Sequence, residues 1–174
     1  MPERSILDWY GPGDRPLARI YSRWAPPPHQ LPALADCLAE QPEPHAASLD
    51  AYRQWAHAHA PHLISAVIDP AVPETPVLPD YRYTVRTNPL RVTARVQRAG
   101  TWTTLLEAGG LGDLHAEAAR LLAEQALRIR ALREPHPRPP FAIHLGDPAR
   151  LEAAAVRHEA SAAAAGWHPD HRPA

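Results

Sequence analysis

Residues 81–97 read YRYTVRTNPLRVTARVQ, and here the apolar period becomes two. Tyr81, Tyr83 and Val85 alternate with Arg82, Thr84 and Arg86. After an Asn88-Pro89 turn, Leu90, Val92, Ala94 and Val96 alternate with Arg91, Thr93, Arg95 and Gln97. Successive side chains of a strand point to opposite faces, so this pattern predicts an antiparallel pair with one apolar and one wet face. Arg82, Arg86, Arg91 and Arg95 then project to the same polar side, and no acid occurs between Asp80 and Glu107. Guanidinium groups suit phosphates and acidic protein surfaces alike. These four arginines are therefore the candidate contacts for a nucleic-acid or protein partner.

Working forward, Arg98-Ala99-Gly100 predicts a hairpin into a third strand. A three-residue loop with glycine in the left-handed region sets Trp102 opposite Val96 and Leu106 opposite Val92, both inward; a two-residue loop turns Trp102 outward. The glycines that follow do not make a phosphate cradle. Gly110 and Gly112 match the first pair of G-x-G-x-x-G, but His115 stands in the third place, and the chain has no lysine for a P-loop. They are read as a turn into a helix capped by Asp113, with Leu114, Ala118, Leu121, Leu122, Ile129 and Leu132 as its apolar stripe and Gln125 as the polar exception. Proline-rich EPHPRPP ends that helix, and PFAIHLGD, residues 140–147, predicts a short strand. Asp147 and Pro148 then supply the cap and first turn of a last helix, closed by Gly166. That helix is so rich in alanine that it must lie very close to a neighbour or bind a partner. Residues 167–174 read as a loose tail.

Working backward, Pro70, Pro73, Pro76 and Pro79 recur with the period of a polyproline II helix, which predicts a stiff linker over residues 70–80. Residues 1–69 read as short helices separated by prolines. In GDRPLARIYSRWAPPP, residues 13–28, Leu17, Ile20, Tyr21 and Trp24 share one helical face, and Pro26, Pro27 and Pro28 end the run. A second helix is expected from Pro32 to Glu40. A third starts at Ser48 and is broken at Pro61, after which HLISAVI suggests a further turn or two. The predicted fold is α+β: a helical N-terminal region (1–69), a linker (70–80) and a small β-β-β-α-β-α domain (81–166) with its helices on one face of an antiparallel sheet.

The order strand, strand, strand, helix, strand over residues 81–147 resembles the HicB-like antitoxin domain. GDLHAEAARLLAEQAL also resembles that family's turn and helix at Gly112, Asp113, Glu117 and Ala118. The resemblance implies an antitoxin-like regulator that binds an RNase and its own promoter. Ala-Gly-Gly replaces the family's Pro-Gly before the helix, and no helix-turn-helix follows the last strand.

The composition excludes several chemistries. Among 174 residues there are 18 arginines and no lysine, and the formal charge is −1, so attraction to a polyanion has to come from a local patch. Cys37 is the single cysteine, which excludes an internal disulfide and a cysteine zinc cluster. His57, His59 and His62 lack a metalloenzyme spacing and are read as surface groups. None of Ser5, Ser22, Ser48, Ser65 and Ser161 lies in G-x-S-x-G. No catalytic residue, cofactor or metal ligand is assigned. The start, MPERSILDWYGPGD, has no apolar core of a signal peptide, and residues 62–79 are too interrupted to span a bilayer. The expectation is a cytoplasmic, non-enzymatic binding or regulatory module, open to homo-oligomerisation. Two alternatives stand beside it. An accessory assembly protein would expose Trp9, Trp24 and Trp55 on one surface; an enzyme would gather His57, His59 or His62 beside carboxylates in a concavity.

Overall fold

Residues 5–10 and 16–22, expected within a helical N-terminus, are β-strands. The computed structural model describes residues 3–11, 13, 16–41, 48–69, 71, 79–133 and 146–169. In it β1 (Ser5–Tyr10) pairs antiparallel with β2 (Pro16–Ser22) and parallel with β4 (Tyr81–Thr87). With β3 (Ala66–Ile68), β5 (Leu90–Arg98) and β6 (Thr101–Ala108) they form one six-stranded sheet in the order β3-β2-β1-β4-β5-β6. The α+β class is as expected. The arrangement is not: the sheet is mixed instead of antiparallel, it joins residues before the proline segment to residues after it, and strands come first.

The physical reason lies in which residues are covered. Leu17 and Trp24, two members of the supposed helical stripe, are 45% and 38% exposed, whereas Ala18, Ile20 and Ser22 are buried. Burial therefore follows a period of two, which only a strand satisfies. Nor do the three prolines end a helix. Pro27 opens one, α1 (Pro27–Ala39), where its fixed φ suits the first turn. The second expected helix is the later part of α1. The third is α2 (Leu49–His59); Ser48, where that helix was expected to start, caps it, its hydroxyl accepting from Ala51 N at 3.1 Å. After it comes a single 3-10 turn, Pro61–Leu63, and then β3 in place of further helix.

Two long helices, α3 (Leu111–Arg133) and α4 (Pro148–Ala164), complete the described elements. One face of the sheet (Leu7, Trp9, Ile20, Tyr83, Val85, Val92, Ala94 and Leu106) is packed by Leu31, Leu34 and Leu38 of α1, Tyr52 of α2, and Leu114 and Ala118 of α3. Burying each large side chain contributes about 1.5–3 kcal/mol. Both core tyrosine hydroxyls are satisfied: Gln30 Nε2 donates to Tyr52 at 2.7 Å, and Tyr83 donates to Ala25 O at 2.8 Å. The expected polyproline rod falls largely on residues 70 and 72–78, and the expected strand at 140–147 largely on residues up to 145; both lie outside the described residues.

The β5–β6 turn has two residues, with Ala99 at φ 49° and Gly100 at φ 82°. Positive φ at both central positions matches the twist of the flanking strands. Trp102 is consequently opposite Gln97 and faces away from the helices; the three-residue register, with Trp102 inward, is not adopted. A one-residue bulge between Ala94 and Arg95 restores the inward face further along, so that Leu106 sits opposite Ala94 and Ala108 opposite Val92.

Helix α3 begins at Leu111, two residues before Asp113, whose carboxylate accepts from Gly109 N at 3.0 Å and so ties the glycine turn to the first helical turn. Its inward stripe of Leu114 and Ala118 packs on the sheet, while Ala119, Leu122, Ala126 and Ile129 are also buried. This second stripe faces α4, whose buried positions are Pro148, Ala155, His158 and Ala162. Leu132, expected in the apolar stripe, is 53% exposed. α4 is capped by Asp147 as expected, its carboxylate accepting from Ala149 N at 3.1 Å. The two helices run antiparallel and close together: a Cβ on Gly112 would come within 3.0 Å of Trp167 Cβ. Small residues permit that approach. No helix among the described residues is long and apolar enough to cross a membrane.

Candidate functional site

The sheet face turned away from the helices carries the arginines. β4 and β5 pair Arg82 with Arg95, Thr84 with Thr93, and Arg86 with Arg91. The four candidate residues therefore share one face, as two directly opposed pairs of like charge. Such pairs oppose folding by roughly 0.2–1 kcal/mol each. On the other flank, β1 sets Ile6, Asp8 and Tyr10 opposite Arg82, Thr84 and Arg86, and β2 sets Arg19 opposite Asp8. Arg19 is thus a fifth arginine on this face.

Neighbouring side chains hold these groups in place. Arg19 Nε donates to Asp8 Oδ1 at 2.8 Å, and Arg82 Nε lies 3.9 Å from Asp8 Oδ2. The Arg82 guanidinium carbon is 5.4 Å from the centre of the Trp102 ring, and that of Arg86 is 4.7 Å from the centre of Tyr10. Each such contact contributes about 0.5–1 kcal/mol at an exposed site. Arg91 Nη1 is 3.3 Å from Glu107 Oε1, with both side chains half exposed, which contributes at most about 1 kcal/mol. Arg95 is exposed. Asp8 and Glu107 are the only carboxylates within the six strands.

Sequence reasoning found four members of this face and missed Asp8, Tyr10, Arg19 and Trp102. A signal existed for the first two, the alternation of Ile6, Asp8 and Tyr10 against Leu7 and Trp9. Nothing local announces that β1 lies beside β4.

The other candidates separate. His57 lines an open depression beside α2 with Asp50, Arg53 and Pro61; His59 stacks on Trp55 at 4.9 Å; and His62 lies 6.0 Å from Trp24. Of the three, His57 shares a concavity with a carboxylate, that of Asp50, while His59 and His62 lie apart from it. Trp9 is buried in the core and only Trp24 of the three N-terminal tryptophans is exposed, so they do not form a common surface. Cys37 is buried, and desolvation pushes its thiol up to about 12, as expected of an inert core group.

On the helical side, a cleft of about 530 Å³ opens between α1, α3 and the end of the sheet. Leu31, Val96 and Leu106 line it together with Arg98, Arg128 and Gln125, so the polar exception of α3 borders a cleft and is not fully buried. Deeper in the helical layer, His115 Nδ1 and His158 Nδ1 are 2.8 Å apart, and His158 Nε2 is 3.7 Å from Asp36 Oδ1. Burial holds both rings below the usual imidazole range, His158 at about 4 with the help of the Arg157 cation, so both are neutral near pH 7.

No known protein family, no curated protein and no solved structure matches the chain.

Proposed function

We propose that the protein is a binding module that engages single-stranded nucleic acid on the arginine-bearing face of its sheet, where β4 and β5 reach the surface. The observation that carries this reading is the direct opposition of Arg82 to Arg95 and of Arg86 to Arg91. Two like-charged pairs weaken the sheet, and a bound polyanion would turn that cost into attraction. Tyr10 and Trp102 decide between polyanions. Partly buried aromatic rings beside guanidinium groups suit unstacked bases with flanking phosphates, the arrangement of stacking platforms for single strands. An acidic protein surface would use the arginines and leave the rings idle.

Each phosphate contact made by the face would release counterions, so the logarithm of affinity should fall linearly with the logarithm of salt, by about 0.7 per contact. Fluorescence anisotropy with labelled RNA and DNA 12-mers, single- and double-stranded, between 50 and 300 mM salt tests this directly. Single strands should bind tighter than duplexes, and Arg91→Ser with Arg95→Ser should weaken binding at least tenfold while the fold is kept. Survival of binding after Arg82, Arg86, Arg91 and Arg95 are all changed to serine would sink the proposal. A pull-down split into nuclease-treated and untreated halves separates the protein alternative: a stoichiometric acidic protein that survives nuclease replaces the nucleic-acid reading, and a small RNase among the survivors favours the antitoxin-like one.

A further inference from the structure

The seam between α3 and α4 is built from alanine, leucine and isoleucine, except at one level. There His115 and His158, each only 2% exposed, meet with their Nδ1 atoms 2.8 Å apart. An apolar pair would fill the same space without the cost of desolvating two imidazoles. Asp36, from the exposed side of α1, reaches the same point from a third direction. One nitrogen of each ring and one carboxylate oxygen of Asp36 all lie within 4.8 Å of one another.

We propose that Asp36, His115 and His158 bind a divalent first-row transition-metal ion, with water completing the coordination on the side of Asp36. This site lies in the helical layer, across the sheet from the arginine face, and stands independently of the reading given for that face. Two of the three donors are imidazole nitrogens, a set that suits zinc, cobalt, nickel or copper and disfavours magnesium and calcium. Ligand bonds of about 2.0–2.2 Å around a tetrahedral ion place donor atoms roughly 3.3 Å apart. The three donor atoms lie within 4.8 Å of one another, and His158 turns Nδ1 to His115 but Nε2 to Asp36, so closing the site on one nitrogen of each ring takes a turn of a side chain and no movement of a helix. Three helices each supply one ligand, so a bound ion would also lock α1 and α4 onto α3. Asp36 is half exposed, which leaves an entry path and room for a solvent ligand.

The probe is Zn²⁺, given to untagged, chelator-treated protein, with Mg²⁺ as control. The expected result is one Zn²⁺ retained per chain after dialysis and a rise in melting temperature that Mg²⁺ does not reproduce. His115→Gln with His158→Gln should lose both effects, since paired amides can replace the mutual hydrogen bond but are poor zinc ligands. His57→Gln with His59→Gln should keep both, which separates this site from surface histidines. If the buried double variant does not fold, Asp36→Asn provides the decision: it lies on the helix surface, leaves the imidazole pair intact, and should weaken Zn²⁺ binding at least tenfold. Substitution by Co²⁺ should produce visible ligand-field bands that Asp36→Asn alters. Absence of a zinc-dependent shift, or retention of zinc by the Asp36→Asn and double-glutamine proteins equal to that of the unaltered protein, would overturn the assignment.

Discussion

Asp8 and Arg19 stand directly opposite each other on β1 and β2, joined at 2.8 Å, and each side chain is at least 85% buried. Arg82 approaches the same carboxylate from the other flank at 3.9 Å. One acid thus anchors two arginines at a covered part of the arginine-bearing face. Asp8→Asn keeps the shape and removes the charge, leaving Arg19 and Arg82 to repel. Stability should fall by about 3 kcal/mol, as for a covered ion pair that loses one partner. Affinity for single-stranded nucleic acid should rise, because the face loses a competing anion. Urea unfolding and anisotropy on the same preparation check both, and a fall in affinity without unfolding would speak against the arginine face as the contact.

Arg95→Thr should act in the opposite sense. It relieves the opposition to Arg82 and places a residue that favours strands on an exposed strand position, so stability should hold or increase by a few tenths of a kcal/mol. Binding should weaken several-fold and the salt slope should become shallower by roughly 0.7. A residue kept for folding alone would not show this division.

How much of this was legible depends on the distance between the residues concerned. The caps at Ser48 and Asp147, the strands around Asn88-Pro89 and the shared face of Arg82, Arg86, Arg91 and Arg95 all rest on neighbours within a few positions, and they could be read directly. β1 could not. Its parallel partner begins 76 residues later, and five of its six residues are buried, so the alternation of Asp8 and Tyr10 with Leu7 and Trp9 is interrupted by apolar Ile6 and is too short to mark a half-wet strand. Leu17, Ile20, Tyr21 and Trp24 fit a helix as well as a strand by spacing alone; only burial distinguishes them. Trp102 depended on a single residue of turn length. His115 was noticed for occupying the place of a glycine, and its partner lies 43 positions away on another helix.

The α3–α4 seam predicts its own intolerance. Ala155 and Ala162 are buried where the helices approach closely. Ala155→Leu adds three carbons with no space to receive them and should cost about 1–3 kcal/mol. Val156→Ala, one position along and exposed, should change stability by less than about 0.5 kcal/mol. Thermal melts of the two variants make the comparison, and similar melting temperatures would mean that the seam is looser than this packing.

Acid should destabilise the fold through His29. Its ring lies 4.2 Å from Trp24, and burial, helped by His62, lowers its pKa to about 4. In the unfolded chain the same group titrates near 6.5. Between those values the unfolded state takes up a proton that the folded state refuses, so stability is complete above pH 6.5 and declines as pH falls toward 4. His29→Gln removes this group from the balance without deleting the side chain. The urea midpoint of the natural protein should fall between pH 7 and pH 4.5 more steeply than that of His29→Gln. Equal slopes would mean that His29 is protonated as readily in the fold as in water, and that the Trp24–His29 contact is open to solvent.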